Sequence, residues 1–545
     1  MPPHVTGKVH AVAVGVSCFA AFGGFLYGYI SGVKEVRSNS SRAAYAQVDL
    51  SLPQMDPWLS HFGTFQPDAT GVSSYALSSG RNSLVTSILS AGTFVGALGA
   101  YPIGDWLGRR LGIEVYLILF CIGVALQTGS KTLAGFTIGR VFAGLGVGGT
   151  SCLVPLYQAE CAPRSIRGGI VAAYQWMITI GLLIASVVVN GTKDMDSDAS
   201  YQIPIGLQFI WAAILGGGLF FLPESPRWLL IKGRDEKARH SLSKIFSAAP
   251  DSIEVNEEMA EIAANLHAER ALGSASFFDC FRGGPGKNRL RTFTGCALQA
   301  LQQLTGINFI FYYGTSFFQN SGISSPFLIT IATNVVNVGA TVPGLWMVDR
   351  FGRRSLLLVG AFGMALCQLI VAAVGVGVSD DNAAGQKVLV AFVCIYIAFF
   401  AATWGPLAWV VTSETYAPAL RGKCMALSTA SNWLLNFAIG YATPYLVDDK
   451  PGSAGLGSNV FWIWGGCCVI CFFFTYFFIR ETRMLSLEQV DILFRQDISA
   501  RKSNAFRKEI LEKDIHDEDK DAYFQPKTTG KAHHVEKGEM RHLEE

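Results

Sequence analysis

Three side-chain amides carry the most informative chemistry in this chain. Gln302, Gln303 and Asn308 fall within Leu301-Gln302-Gln303-Leu304-Thr305-Gly306-Ile307-Asn308-Phe309-Ile310-Phe311-Tyr312-Tyr313, inside a segment otherwise apolar enough to cross a bilayer. An unpaired amide in hydrocarbon costs several kcal/mol, so such groups face a protein interior or a wet cavity. Their chemistry is recognition: a neutral amide offers a donor and an acceptor side by side and matches hydroxyl groups two at a time. Gln302 and Asn308 are six residues apart, which on a straight helix turns them off a common face. A break at Thr305-Gly306 would restore it, and glycine is permissive there. The chain carries no nucleophile-and-base constellation, phosphate loop or metal-ligand cluster, so covalent catalysis is unsupported and no cofactor or metal is expected.

The elements that hold these amides follow from composition. Half of the 545 residues are hydrophobic and only 15% are charged, which is the balance of a polytopic membrane protein. Lys plus Arg 43 against Asp plus Glu 41 leaves a formal charge of +2, and nothing in it calls for a nucleic-acid partner. The 12 cysteines have neither metal spacing nor a secreted disulfide pattern and read as packing residues. About twelve apolar runs of spanning length are expected. They lie near 9–33, 86–107, 112–131, 134–159, 167–190, 204–223, 291–320, 325–348, 354–378, 387–415, 421–446 and 459–479. The glycines of Gly144-Leu145-Gly146-Val147-Gly148-Gly149 lie inside one of these and are expected to allow close helix packing, not to cradle a dinucleotide.

The expected organisation is an all-α, two-bundle membrane protein. Residues 1–223 form the N-terminal bundle, with an atypical polar insertion at 37–54. Residues 224–289 are a linker of amphipathic helices, 290–479 the C-terminal bundle, and 480–545 a charged, partly disordered tail whose His533-His534 pair is tail composition. Arg109, Arg110, Arg164, Arg167, Arg350, Arg353, Arg354, Arg421 and Lys423 share one side with the basic linker and tail. The opposite links carry Asp194, Asp196, Asp198, Asp380, Asp381, Asp448 and Asp449. The positive-inside rule then puts both termini and the linker in the cytoplasm, and Asn190-Gly191-Thr192 outside, open to glycosylation. Lipid is the surrounding partner.

The two halves echo one another. Asp105-Trp106-Leu107-Gly108-Arg109-Arg110 recurs as Asp349-Arg350-Phe351-Gly352-Arg353-Arg354. Glu160 to Arg167 has the spacing of Glu414 to Arg421, and Pro223-Glu224-Ser225 is echoed by Arg480-Glu481-Thr482. Three paired motifs imply duplication. Clustered guanidinium forks and carboxylates at inner helix ends form hydrogen-bonded ion pairs, and the expectation is a gate linking the bundles when the inner mouth is shut.

With Gln302-Gln303-Leu304-Thr305-Gly306-Ile307-Asn308, Pro226-Arg227-Trp228-Leu229 and Glu481-Thr482-Arg483, these motifs resemble the major facilitator superfamily and, within it, the sugar porter family. The resemblance runs from Phe22 to Phe494, and the run Trp404 to Glu414 with Asn432-Trp433-Leu434-Leu435-Asn436-Phe437 is similar to fungal hexose transporters. It implies transport of a monosaccharide, a hexose such as glucose, across the plasma membrane by alternating access, with no enzymatic activity. It also implies sugar-binding positions at Gln175, Gln302, Gln303, Asn308, Asn337, Trp409, Asn432 and Asn436, with Tyr312 and Tyr313 nearer an outer gate. Amides match the sugar hydroxyls and an indole its C–H face. The plain alternative for the amides is interhelical hydrogen bonding, about 0.6 kcal/mol per pair, and for Trp409 ordinary packing or an interface belt.

The chain departs from the family in its first helix. Proton-coupled members carry an aspartate there, opposite an arginine on the fourth helix that Arg140 matches; here Gly28-Tyr29 runs into Ile30-Ser31-Gly32. No carboxylate lies inside the helix, and Glu35 follows its end. A shortened helix beside the insertion 37–54 is the pattern a misplaced exon boundary produces; a rebuilt outer loop is the alternative. As written, the chain is expected to be a facilitator. Protons join its partners only if the missing aspartate reflects the gene model, and a sugar sensor with the same fold is the other reading.

Overall fold

The computed structural model describes residues 14–16, 18–39, 64–67, 73–76, 79–162, 166–192, 195, 197–271, 276–311, 326–377, 382–417, 420–447 and 453–515. Tyr312, Tyr313, Arg164, residues 40–54 of the insertion, the tail beyond 515 and the outer acids other than Asp198 lie outside them.

The protein is built of α-helices in two halves joined by a helical linker, with one small β-ribbon. Its first half contains α1 (Phe22–Asn39), whose helical turns start at residue 14, α2 (Ser79–Trp106), α3 (Arg109–Gly129), α4 (Leu133–Cys161), α5 (Arg167–Thr192) and the pair α6 (Ala199–Gly206) and α7 (Gln208–Leu219). Between α1 and α2 a small antiparallel ribbon, β1 (Thr64–Pro67) with β2 (Ser73–Ala76), pairs Thr64 with Ala76. The linker folds as α8 (Pro226–Ile231), α9 (Asp235–Phe246) and α10 (Ile253–Ala271). The second half contains α11 (Asn288–Leu304), α12 (Pro326–Phe351), α13 (Arg353–Gly377), α14 (Ala383–Ala402), α15 (Trp404–Thr415), α16 (Arg421–Val447) and α17 (Val460–Phe478), followed by α18 (Leu487–Arg495) and α19 (Ser503–Ile515).

Among the described residues ten helical segments are long and apolar enough to cross a membrane. The two remaining expected spans are α11, whose helix runs 17 residues before the break at Thr305-Gly306, and α16. Helix α11 carries Gln299, Gln302 and Gln303 buried, and α16 carries Ser428, Thr429, Asn432, Asn436 and Thr443 buried. Large apolar side chains are exposed on the other helices, such as Ile118, Ile122, Ile210, Phe362, Ile470 and Phe473, and on the outer faces of these two, as Phe293, Leu434 and Tyr441.

Close approach of helices rests on small residues, since lipid supplies no hydrophobic drive between them. A methyl group at Gly28 of α1 would stand 2.0 Å from the Ile178 carbonyl oxygen of α5. The glycine run of α4 does the same work against its neighbours: a Cβ at Gly148 would lie 2.1 Å from Thr93 O of α2, and one at Gly149 2.1 Å from the Tyr116 ring of α3. Across the halves, α2 packs along α16, and α5 along α12 and α15. Asn190-Gly191-Thr192 ends α5 as helix, with Thr192 buried.

Candidate functional site

Helix α11 breaks where the sequence allows. Thr305 donates its N–H to Leu301 O at 3.1 Å, Gly306 takes φ +85°, and helical turns resume from 307 to 311. Trp464 fills the space beside Gly306, so that a Cβ there would meet its Cγ at 2.6 Å. The Thr305 carbonyl left without a helical donor accepts from Tyr396 Oη at 2.9 Å, Gln368 Nε2 at 3.3 Å and Cys468 Sγ at 3.8 Å. Irregular backbone at membrane depth is thus repaid by side chains of three other helices. Gly306→Ala is expected to cost about 1 kcal/mol for the left-handed backbone alone, with further loss from displacing Trp464. Thermal unfolding in detergent checks it, and a variant as stable as the parent would remove the break from the account.

The break turns Asn308 back over Gln303, to whose Oε1 its Nδ2 donates. Asn436 Nδ2 donates to the same oxygen at 3.2 Å, and Gln303 Nε2 donates to Asn432 Oδ1 at 2.8 Å. Asn432 Nδ2 donates to Gln302 Oε1 at 2.8 Å, while Gln302 Nε2 donates to the carbonyls of Trp404 at 3.1 Å and Gly405 at 2.8 Å. Five of the expected residues therefore form one buried network. Gln175 and Trp409 form a second group: Trp409 Nε1 donates to Gln175 Oε1 at 3.2 Å, and the indole meets the Tyr174 ring edge-on at 5.3 Å. Asn337 stands apart on α12, buried, its Oδ1 without a hydrogen-bond partner among the described residues.

Two members of this network escape the sequence reading. Gln299 accepts from Asn432 Nδ2 at 2.7 Å and donates to Ala408 O at 3.2 Å and Thr412 Oγ1 at 3.3 Å. Its signal was present, since it lies one helical turn before Gln302 and Gln303. Ser90 on α2 donates to Asn436 Oδ1 at 2.6 Å; no pattern in a serine-rich helix marks it. The bond crosses between the halves, as do Trp433 Nε1 to Ser151 Oγ at 3.0 Å and Asn334 Nδ2 to Ser186 Oγ at 3.0 Å. The site is built by both bundles.

At the helix ends that carry the paired motifs the duplication extends to individual atoms. Arg109 places Nε and Nη2 on the two Glu160 oxygens, each at 2.9 Å, and Nη1 on Gly104 O at 3.0 Å. Arg353 repeats this on Glu414 at 3.1 and 2.8 Å and on Val348 O at 3.0 Å. Gly108 and Gly352 take φ +99° and +95°. The exposed N-termini of α3 and α13 are then capped from afar. Glu224 accepts from Arg109 N at 3.0 Å and Arg110 N at 3.2 Å, and Glu481 from Arg353 N at 2.9 Å and Arg354 N at 3.1 Å. Burial pushes the Glu224 carboxyl above its ordinary value, opposed by the N–H groups of Ser225 and Arg110 and by the Arg109 guanidinium. Ser225 Oγ and Thr482 Oγ1 complete the matched sets by donating to Glu160 at 2.6 Å and Glu414 at 2.7 Å.

This differs from the expectation that these pairs link the two bundles. The forks close within each half because Arg109 and Glu160, like Arg353 and Glu414, sit on helices of one bundle and saturate each other. The crossing contact is made by Asp349, whose Oδ2 accepts from Gly169 N of α5 at 2.8 Å while Oδ1 pairs with Arg353 at 3.0 Å. Its counterpart Asp105 instead meets Lys232 of the linker at 3.1 Å. Arg167 and Arg421 again match, donating to Ala162 O at 3.5 Å and Tyr416 O at 3.3 Å. Arg110 donates to Leu222 O at 3.2 Å and Arg354 to Tyr476 O at 3.0 Å.

Arg140 is the exception to this pairing. Its side chain is 4% exposed, its guanidinium lies 5.2 Å from the Phe136 ring, and its Nε and Nη1 have no hydrogen-bond partner among the described residues. Ile30 of α1, likewise buried, offers no charge.

Residues 16–494 match the family described as Sugar (and other) transporter. The chain is 48% identical over 515 residues to a major facilitator-type transporter of Aspergillus rugulosus, covering 92% of this chain and 91% of that one. It is 38% identical over 508 residues to a low-affinity glucose transporter of Saccharomyces cerevisiae, covering 91% and 85%. It is also 40% identical over 512 residues to a high glucose sensor of the same yeast, covering 93% of this chain and 64% of the sensor. Among solved structures it superposes with TM-score 0.74 on the proton:xylose symporter XylE bound to 6-bromo-6-deoxy-D-glucose, at 26% identity and over 89% and 99% of the two chains. The inward-open form of the E. coli xylose transporter XylE, at 25% identity, gives 0.62 over 88% and 99%. The ligand-bound structure thus superposes more closely than the inward-open one. Ten membrane-length helical segments among the described residues, motifs paired between the two halves and a buried amide network shared by both are the features of a carrier and not of an enzyme, and this chain belongs to the Sugar (and other) transporter family.

Proposed function

We propose that this protein is a facilitative carrier of a monosaccharide, a hexose such as glucose, working by alternating access. The observation that carries the reading is the buried amide network whose members come from both halves. Such a network can open one bond at a time to hydroxyl groups of a sugar, and its cross-half bonds must break when the bundles rock. Gln175, Gln302, Gln303, Asn308, Asn337, Trp409, Asn432 and Asn436 are the binding positions, with the unpartnered Asn337 carbonyl oxygen free to accept from a sugar hydroxyl. Residues 1–223 and 290–479 are the rocking bundles, 224–289 the inner cover, and both termini face the cytoplasm of the plasma membrane. Uptake of labelled glucose in a hexose-transport-deficient yeast, with competition by other monosaccharides and polyols, tests it; no uptake with the protein at the cell surface would overturn it.

Facilitation rests on Arg140. A symporter needs a group whose protonation follows sugar occupancy, and Ile30, at the position where the resemblance expects an aspartate, supplies none. In proteoliposomes the chain is expected to equilibrate sugar without concentrating it, whatever the proton gradient; accumulation driven by inward protons would make it a symporter. The likeness to a glucose sensor supports one second reading, in which the same site reports sugar to a signalling partner. Binding without uptake, with loss of a transcriptional response on deleting residues after 515, would favour it.

A further inference from the structure

A seam between α11 and α15 keeps the amides in register. Gln302 Nε2 rests on the carbonyls of Trp404 and Gly405, and Gln299 Nε2 on Ala408 O and Thr412 Oγ1. Further along, a Cβ at Gly295 would lie 1.7 Å from Tyr416 Oη, and Arg291 Nη1 donates to Thr415 O at 3.5 Å. Arg291 precedes Gln302 by about three helical turns on the same face of α11. It therefore stands at the far end of the seam that holds Gln302, and it is only 1% exposed.

A buried guanidinium needs a counter-charge, and α18 supplies it. The Asp491 carboxylate pairs with Arg291 Nη2 at 2.7 Å, Asp491 O accepts from the same nitrogen at 3.2 Å, and the Phe494 ring lies 4.4 Å from the guanidinium. Arg480 stands over that ring too, at 4.3 Å. Helix α18 is itself anchored away from α11. Its Val490, Leu493 and Phe494 share a small core with Leu485 and with Ile510 of α19. Arg480 Nε donates to Ile498 O at 2.6 Å and Glu481 N to Ser503 Oγ at 2.9 Å, and Glu481 also caps α13. The matching helix of the first half is α8, which follows Glu224 as α18 follows Glu481. Its Trp228 Nε1 donates to Asp105 O at 2.9 Å, so it holds the second helix of its half where α18 holds the first.

We propose that α18 is a positioning strap for the sugar site. Asp491 and Phe494 hold Arg291, Arg291 fixes the stretch of α11 before the break, and that stretch sets Gln302 and Gln303 against the sugar. The break at Thr305-Gly306 makes the strap necessary, because a helix interrupted there is not splinted by the residues beyond it. A binding constellation works only when its groups are held to within about 0.5 Å. Asp491 is thus a positioning residue, acting on the amides through Arg291 without touching the sugar. The consequence for sugar affinity rests on the carrier reading above; the hold on α11 does not.

The test compares the full-length parent with Asp491→Asn and Asp491→Glu in detergent. Hydrogen exchange of the backbone N–H groups over residues 295–304 is followed without sugar, and glucose affinity by the change in tryptophan emission on titration. Asp491→Asn is expected to speed that exchange about tenfold and to weaken glucose binding about fivefold, and Asp491→Glu, which keeps the charge, to restore both. Phe494→Leu, which keeps the apolar volume and removes the ring from the guanidinium, is expected to move both readouts the same way and carries the test if Asp491→Asn does not fold. Exchange equal to the parent, faster exchange with unchanged affinity, or an equal rise of exchange in α4, which α18 does not hold, would each overturn the strap. A parent that binds no glucose would count against the carrier reading alone, because the exchange is read without sugar.

Discussion

Gln302→Ala is expected to lower hexose uptake by about 10²-fold while leaving membrane insertion and surface amount unchanged. The substitution removes three hydrogen bonds, those from Gln302 Nε2 to Trp404 O and Gly405 O and the one Oε1 accepts from Asn432. Each buried group left unpaired costs about 1–3 kcal/mol, and each 1.4 kcal/mol is about tenfold. The loss falls where α11, α15 and α16 meet, so it reaches the site and not the lipid-facing surface. Initial-rate uptake normalised to surface protein measures it, and transport equal to the parent would remove Gln302 from the site. Ser90→Ala is a milder companion. It deletes one cross-half bond to Asn436 and leaves the amide network on α11 and α16 in place.

The largest stability effect is expected at Glu414. Arg353 is 2% exposed and rests both arms of its fork on that carboxylate. Glu414→Gln leaves a buried guanidinium whose remaining carboxylate partner is Asp349. Breaking a buried pair in this way costs about 3–5 kcal/mol, read as early thermal unfolding in detergent. Because the first half repeats the arrangement atom for atom, Glu160→Gln is expected to cost about as much. A Glu414→Gln protein as stable as the parent would mean that the pairs serve only the transport cycle.

Much of this was legible in the chain. The depth of Gln302, Gln303 and Asn308, the need for a break between them and the paired inner motifs follow from local rules of polarity, spacing and repetition, and the structure realises each. The end of the first helix is an exception: the sequence places Glu35 beyond it, whereas α1 runs on to Asn39 and includes that residue. What spacing does not carry is which partner a fork chooses. Arg109 and Arg353 close on carboxylates of their own bundle, while Asp349 beside Arg353 reaches the other half through the backbone N–H of Gly169, which has no sequence signature.

The sequence by itself determined a membrane protein of two related halves and the burial of its clustered amides, because lipid punishes polar side chains residue by residue and duplication leaves its mark in order along the chain. Only the tertiary structure decided that Gln299 and Ser90 join the network, that Asn337 stands outside it, and that Glu224 and Glu481 cap helices more than a hundred residues away. Those are contacts between distant segments. They are fixed by how closely helices approach and turn, which glycine packing and the kink at Gly306 set in three dimensions.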